Sequence, residues 1–189
     1  CTLPVNIYSY YSSLPAPIGI ADYGVLNASG VLYLYKILYD EAIGFAQIYS
    51  LQAYNSSPPS GISPYGVSLQ QNVVLQVNTT NGNYEYWLQN VIGFVTNTNE
   101  LSMRNNIWNL TSSYSYLTSQ NITGNGNVYT SNSGDYYYYG TSEQSYNLPL
   151  AIYLYIAIKY SNNAVYIYFG YQPSTSSSII WYDTVTIRD

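Results

Sequence analysis

The sequence predicts an all-β fold, a single-domain antiparallel β-sandwich of about ten strands with an extended N-terminal arm. Residues 151–159 alternate between aliphatic and mainly tyrosine side chains, as in a strand with one face in the core. Asn81-Gly82 separates two β-prone runs and supplies the positive φ values that a hairpin turn needs. No segment of useful length shows the spacing of an amphipathic helix.

The chain is predicted to divide into an extended N-terminal arm, residues 1–13, and a β domain, residues 14–189. The arm is rich in β-prone side chains, and its extended character makes it a candidate donor strand for another subunit. The candidate donor residues are Val5, Ile7, Tyr8 and Tyr10. The arm leads into a segment with two prolines, two glycines and Asp22, which is typical of a rigid, buried entry into a fold.

The next elements follow from local composition. Residues 31–39 are apolar or aromatic at nearly every position, which favours a strand buried on both faces. Residues 43–53 are predicted to form another strand, and residues 55–66, rich in proline and serine, a loop. After the hairpin around Asn81-Gly82, residues 96–109 predict a turn and a strand, and residues 113–118 a further strand.

The C-terminal third contains the clearest strands. Residues 124–134 are rich in Gly, Asn and Ser and predict a loop, whereas the four tyrosines 136–139 predict a strand that covers an apolar face. Residues 151–159 and 165–171 form a predicted hairpin, and residues 179–187 the last strand. On the first strand of that hairpin, the predicted core residues are Ile152, Leu154, Ile156 and Ile158.

The composition indicates adaptation to acid. Only 7% of the 189 residues are charged, there is no histidine, and tyrosine occurs 27 times. Protonating all nine carboxylates would move the formal charge only from −5 to +4. Acid unfolding is driven by carboxylates and histidines that must take up protons. Because this chain has few of these groups, its stability should fall little at low pH.

Several classes of function are excluded by what the chain lacks. There is no basic run for nucleic acid and no apolar span for a membrane. Cys1 is the single cysteine, so neither a metal site nor a cofactor is expected. A chain that starts at Cys1 indicates removal of a signal peptide and predicts an extracellular, cell-surface location.

Residues 14–25 read Leu-Pro-Ala-Pro-Ile-Gly-Ile-Ala-Asp-Tyr-Gly-Val. This segment resembles the Pro-Ala-Pro-Met-Gly-Ile-Ala-Asp-Tyr-Gly-Leu signature of thermopsins, secreted acid peptidases of thermoacidophilic archaea. Weaker similarities follow in the family's order: Tyr-Trp-Leu-Gln-Asn-Val at 86–91, Asn-Asn-Ile-Trp-Asn at 105–109, Leu-Pro-Leu at 148–150, and a closing aromatic strand pair.

The resemblance implies an acid endopeptidase that uses paired carboxyl groups, one ionised and one protonated. Asp22 lies in the strongest family motif and is the candidate catalytic residue. An alternative is that its carboxylate caps the turn before Gly24. The family motif at residue 105 opens with aspartate, whereas this chain has Asn105, an amide that cannot shuttle a proton. The chain is also short for the family, as if loops and a C-terminal part were missing.

Five Asn-x-Ser/Thr sequons predict N-linked glycans on a secreted chain. Asn55, Asn78 and Asn121 lie in predicted loops, where a glycan is sterically possible. The five candidate sites are Asn27, Asn55, Asn78, Asn109 and Asn121.

Two functions therefore compete, and a structural role is the main expectation. In it, the chain is an extracellular subunit of an archaeal surface filament or a similar assembly, binding copies of itself by β-strand addition. The alternative is the acid endopeptidase that the resemblance implies. A third interpretation is a module that binds carbohydrate or a surface through tyrosine faces; it fits the aromatic content, but no localised cluster of residues in the sequence supports it.

Overall fold

The computed structural model describes residues 25–34, 39–79, 82–111, 117–131, 134–176 and 178–188. All regular elements within these ranges are strands, which confirms the predicted all-β class. In chain order they are β1 (Val25–Ala28), β2 (Val31–Leu34), β3 (Glu41–Ile48), β4 (Gly66–Thr79), β5 (Gly82–Val95), β6 (Glu100–Asn109), β7 (Ile122–Thr123), β8 (Asn127–Ser131), β9 (Gly134–Gly140), β10 (Gln144–Ser145), β11 (Leu150–Ser161), β12 (Ala164–Pro173) and β13 (Ile180–Arg188).

The chain divides into two compact units, Cys1–Tyr39 and Asp40–Asp189. In the first unit, β1 and β2 form an antiparallel hairpin. Its two turn residues, Ser29 and Gly30, both have positive φ, 55° and 81°, as a tight two-residue hairpin requires. The predicted N-terminal arm lies outside the described residues.

The second unit contains two antiparallel sheets. The six-stranded sheet has the order β4-β5-β6-β9-β8, and β10 pairs with β6. The five-stranded sheet has the order β3-β11-β12-β13-β7. Strands β4 and β5, each of 14 residues, form the hairpin predicted around Asn81-Gly82, with Thr79 opposite Gly82.

The core lies between these two sheets. Alternation directs one face of each strand inward, so the aliphatic residues of β11 pack against those of β5 and β6. The predicted inward residues Ile152, Leu154 and Ile156 are buried, and Ile158 packs against their cluster. Leu88, Ile92, Met103 and Ile107 on the opposite sheet are fully buried.

Some predicted boundaries were wrong. The predicted loop 124–134 contains β8, whose polar residues at the edge of a sheet do not show the alternation that marks a half-buried strand. Strand β3 ends at Ile48 rather than at residue 53. Val31 of β2 is 52% exposed, which contradicts burial on both faces at that end of the predicted strand, because β2 belongs to a two-stranded hairpin.

No helix with the length and hydrophobicity of a membrane span occurs within the described ranges.

Candidate active site

Asp183 lies near the middle of β13 and is 2% exposed. It is the one charged side chain among the buried residues of the described ranges. A buried carboxyl group is unfavourable unless hydrogen bonds replace its hydration. The hydrogen-bond donors around Asp183 therefore determine which chemistry its carboxyl group can perform.

A β-bulge places Asp183 and its neighbour in the core together. Phe169 of β12 is opposite Asp183, but the next residue, Gly170, is opposite Trp181. Tyr182 is thus the extra residue of β13, and both Tyr182 and Asp183 are buried although they are adjacent. Bulges of this kind redirect side chains and are common beside active sites.

Three donors hydrogen-bond to the Asp183 carboxylate. Its Oδ2 accepts from Asn105 Nδ2 at 2.7 Å and from the Tyr137 hydroxyl at 2.8 Å. Its Oδ1 accepts from the main-chain N–H of Asn125 at 3.0 Å. Since an ionised carboxylate is purely an acceptor, this set of donors suits the ionised form.

Tyr137 connects this carboxylate to the segment between β7 and β8. Its hydroxyl donates to Asp183 and accepts from the N–H of Gly126 at 2.7 Å. Burial raises the pKa of Tyr137 far above its usual value, and the charge of Asp183 raises it further. Tyr137 therefore stays protonated and remains a donor across the acidic and neutral range.

Two glycines allow the segment 124–126 to approach β9 closely. A Cβ atom at Gly124 would collide with the hydroxyl of Tyr137, and one at Gly126 with the main-chain carbonyl of Tyr138. A recess of about 160 Å³ lies beside this segment and is lined in part by Tyr137. The approach brings the N–H groups of Asn125 and Gly126 to Asp183 and Tyr137.

A second group of hydrogen bonds joins the two sheets next to Asp183. Asn90 Nδ2 donates to the main-chain carbonyls of Tyr155 and Gly170, each at 2.9 Å. The Tyr182 hydroxyl lies 2.8 Å from Asn90 Oδ1 and 2.9 Å from the carbonyl oxygen of Arg104. Burial, reinforced by the charge of Asp183, raises the pKa of Tyr182 well above its usual value.

Asn105 links these two groups. It is directly opposite Asn90 in the β5–β6 register, and both residues are completely buried. Asn105 Oδ1 is buried without a hydrogen-bond partner in the described part of the chain. We call Asn90, Asn105, Tyr137, Tyr182 and Asp183 the Asp183 network.

No second carboxyl group hydrogen-bonds to Asp183 within the described ranges. Glu85 and Asp135 accept from Gln76 and Thr130 respectively, so these carboxylates also pair with neutral groups. The proton-sharing pair expected for an acid peptidase is not formed by these three side chains. No cluster of potential metal ligands occurs among the described residues.

The sequence-predicted catalytic and donor residues all belong to the first 24 residues of the chain. Asp22 lies outside the described residues, as do Val5, Ile7, Tyr8 and Tyr10. They remain predictions.

The predicted glycosylation sites occupy different environments. Asn55 and Asn78 are exposed. Asn109 and Asn121 are half-buried, and their Oδ1 atoms accept main-chain N–H groups of Thr111 and Thr118. Asn27 lies in β1. Asn55 and Asn78 are therefore more accessible to modification than Asn109 and Asn121.

Asp183 was missed by the sequence analysis, although a signal for it existed. Asp183 shares the parity of Val185 and Ile187, both of which are buried on β13. In a strand this parity places Asp183 on the core face. A carboxylate predicted on a core face is a candidate functional group.

Fold and site together define an all-β protein with a single buried carboxyl group between two antiparallel sheets in the part of the chain that the structure describes. A family model described as Thermopsin matches residues 3–189, and the chain belongs to this family. The chain is also 44% identical over 192 residues to "Thermopsin" of Sulfolobus acidocaldarius. That match covers 98% of the chain and 56% of the relative. No solved structure matches the chain.

These similarities confirm the resemblance and overturn the main functional expectation. A filament subunit joined by strand addition is wrong as the leading function, because the family and the named relative indicate an acid protease. The alternative, an acid endopeptidase, is the interpretation that they favour. The chain spans about half the length of the relative, so its own activity is a matter for proposal.

Proposed function

We propose that this chain is part of a secreted acid endopeptidase of the thermopsin family and that Asp183 is a catalytic carboxyl group. The observation that carries the proposal is the buried Asp183, bound by Asn105 and Tyr137 at the bulge of β13. Membership of the family supplies the reaction class.

The chemistry requires an ionised carboxyl group that activates water for attack on a peptide carbonyl. An ionised Asp183 can accept all three hydrogen bonds from Asn105, Tyr137 and the N–H of Asn125. These donors are held in fixed positions in a poorly hydrated interior, where their electrostatic interaction with charge that develops in the transition state is stronger than in water. Asn105 holds one carboxylate oxygen and cannot itself transfer a proton.

Substrate access requires a rearrangement, since Asp183 is 2% exposed. The segment 124–126 hydrogen-bonds to Asp183 and Tyr137 and borders the recess beside Tyr137. We propose that a substrate reaches Asp183 when this segment moves away from Tyr137. Asp22 remains the sequence-based candidate for a second carboxyl group.

The proposal is tested by proteolysis of an unfolded protein substrate at about pH 4, near the usual pKa of aspartate, where ionised and protonated carboxyl groups coexist. We expect cleavage by the wild-type chain and a loss of at least about 100-fold for Asp183→Asn, the order associated with a general base. The matched control is Asp135→Asn, because Asp135 is half-buried and bonds to Thr130. Its activity should remain near that of the wild type.

Folding must be measured in the same samples. The amide that Asp183→Asn introduces would leave one neighbouring donor unpaired, which costs about 1–3 kcal/mol. Circular dichroism at the assay pH shows whether the variant is folded and so separates a loss of stability from a loss of catalytic activity. Wild-type activity in the folded Asp183→Asn variant would exclude Asp183 as the catalytic carboxyl group. If Asp22→Asn abolished cleavage and Asp183→Asn did not, the catalytic role would belong to Asp22.

We also propose an extracellular location with N-linked glycans at Asn55 and Asn78. Their exposure supports this assignment, as does the acid-compatible composition of the chain. Mass spectrometry of peptides from the native protein tests it. Unmodified asparagine at both positions would contradict it.

A further inference from the structure

The outer face of the five-stranded sheet carries a continuous patch of aromatic side chains. In the register of this sheet, Phe45 of β3 is opposite Tyr153 of β11. Two residues further along β11, Tyr155 is opposite Gly170 of β12, which in turn is opposite Trp181 of β13. Alternation along the strands places these residues on the face away from the core. Neighbouring rings have centroids 4.7–6.5 Å apart, and we call the five rings the Trp181 platform: Phe45, Tyr153, Tyr155, Tyr168 and Trp181.

The indole of Trp181 presents one side to solvent. Its other side covers Gly170, because a Cβ atom added at that glycine would come within 2.6 Å of the indole ring. The rings of Tyr155 and Tyr168 stand edge-on to it, at interplanar angles of 66° and 68°. Trp181 is 43% exposed, and this exposed surface lies on the side away from the sheet. The platform therefore offers an open aromatic face with a ring on either side of it.

Hydrogen bonds hold part of the platform in position. The Tyr155 hydroxyl donates to Gln172 Oε1 at 2.8 Å. The Nε2 of the same glutamine donates to the main-chain carbonyl of Ser176, also at 2.8 Å. An aromatic surface that is fixed before a ligand arrives avoids part of the entropic cost of binding.

The chemistry of the platform indicates a neutral ligand with many hydroxyl groups. No charged side chain lies in the two rows of the sheet that contain Tyr153 and Tyr155, and Glu41 belongs to the next row. A pyranose sugar has an apolar C–H face that can pack on the electron-rich face of an aromatic ring. Its hydroxyl groups need neutral donors and acceptors, which the exposed side chains of Gln47 and Thr184 at the border of the platform supply.

The size of the platform also favours a small ligand over a second copy of the chain. Its four strands span about 14 Å across the sheet, and its three rows span about 13 Å along β11. The resulting area of about 200 Å² is small compared with the roughly 800 Å² that each partner buries in a stable protein interface.

We propose that the Trp181 platform binds a neutral oligosaccharide, with one sugar ring stacked on the indole of Trp181. The rings come from four separate strands, which is why the sequence alone shows no localised cluster. This inference goes beyond the proposed peptidase and does not depend on it. Trp181 points outward, whereas the bulge at Tyr182 directs Asp183 into the core.

The test is a titration of the isotope-labelled chain with cellohexaose, a neutral chain of glucose units, followed by NMR. The three tryptophans give three indole N–H signals, and the signal that disappears in Trp181→Phe identifies Trp181. We expect cellohexaose to shift this signal and to leave those of Trp87 and Trp108 unchanged, because both of these lie on strands of the other sheet. Equal shifts of all three signals, or no shift of the Trp181 signal, would overturn the proposal.

Variants measured by calorimetry make the test specific. Trp181→Ala should weaken binding by about tenfold or more, since it removes the stacking surface, whereas Trp181→Phe should retain part of the affinity. Phe45→Ala should weaken binding about threefold; its side chain is 55% exposed on β3, so the variant should remain folded. The matched control is Tyr129→Ala, because Tyr129 is 45% exposed on the other sheet. Wild-type affinity in both Trp181→Ala and Phe45→Ala would contradict the proposal.

Three further measurements distinguish the alternatives. A dimer in sedimentation that Trp181→Ala dissociates would assign the platform to a second copy of the chain, and capture by neutral phosphatidylcholine vesicles in place of cellohexaose would assign it to a lipid surface. Either result would overturn the oligosaccharide assignment. Proteolysis at acidic pH is independent: binding of cellohexaose by a chain that cleaves nothing would support the platform and contradict the proposed peptidase, and cleavage without cellohexaose binding would do the reverse.

Discussion

Replacing Asn105 by aspartate tests the arrangement of the Asp183 network. Asn105 Nδ2 lies 2.7 Å from Asp183 Oδ2, and aspartate has nearly the same shape as asparagine. The substitution therefore puts a second carboxyl oxygen where the amide nitrogen was. Two carboxyl groups this close share one proton rather than ionise together.

The size of the effect follows from the separation. Two unit charges about 4 Å apart repel each other by about 4 kcal/mol at an effective dielectric constant of about 20. One pH unit corresponds to about 1.4 kcal/mol, so the pair retains its proton over about three pH units more than separate groups would. The folded variant then holds a proton that its unfolded chain has released. Its stability must fall as the pH rises from about 4 to about 7.

Urea unfolding followed by tryptophan fluorescence at these two pH values measures the change. Relative to wild type, we expect Asn105→Asp to lose about 3–4 kcal/mol at pH 7 and less than about 1 kcal/mol at pH 4. The control is Asn106→Asp, on the adjacent and less buried position of β6, which should show little pH dependence.

An equal loss at both pH values would refute the reasoning, because a packing defect does not depend on proton uptake. A variant as stable as wild type at pH 7 would also refute it. In that case the two side chains would have to separate or admit water.

Three other measurements test the network. Tyr182→Phe removes the hydroxyl beside Asn90 and should lower the unfolding free energy by about 1 kcal/mol and the Tm by about 3 °C in thermal denaturation. Gly126→Ala must displace the segment from Tyr138, and we expect a loss of about 2 kcal/mol in urea unfolding; unchanged stability would contradict the close approach. The raised pKa values of Tyr137 and Tyr182, caused mainly by burial, mean that the folded state keeps phenolic protons that the unfolded chain releases. The contribution of these two phenols to the free energy of unfolding is therefore fully present below about pH 10 and is lost as the pH rises further. In an alkaline titration, the absorbance of phenolate should rise together with unfolding.

The strands of the C-terminal hairpin could be predicted because local alternation determines them. Ile152 and Ile156 recur with period two and face the core of a two-layer structure. Strand β8 could not be predicted in this way. It pairs with β9 at the edge of its sheet, where polar side chains are tolerated on both faces and the pattern disappears.

The candidate site was less predictable because its contacts are distant in sequence. Asn105 and Asp183 are 78 residues apart, and nothing local to either residue identifies the other. The parity of β13 places Asp183 inward, but the bulge at Tyr182 breaks that parity for one residue.

The link made by Asn90 has a consequence for divergence within the family. Its amide binds two carbonyl oxygens of the opposite sheet's backbone, so the bond places no demand on the chemical nature of the side chain at Tyr155. The Asn90 bond would therefore survive a change of the side chain at position 155, where Tyr155 is held by other contacts. Because the acceptors are main-chain oxygens, substitutions at Asn90 would not be matched by substitutions at residues of the opposite sheet. Relatives that keep this asparagine could therefore hold their two sheets together in the same way while the side chains on their outer surfaces differ.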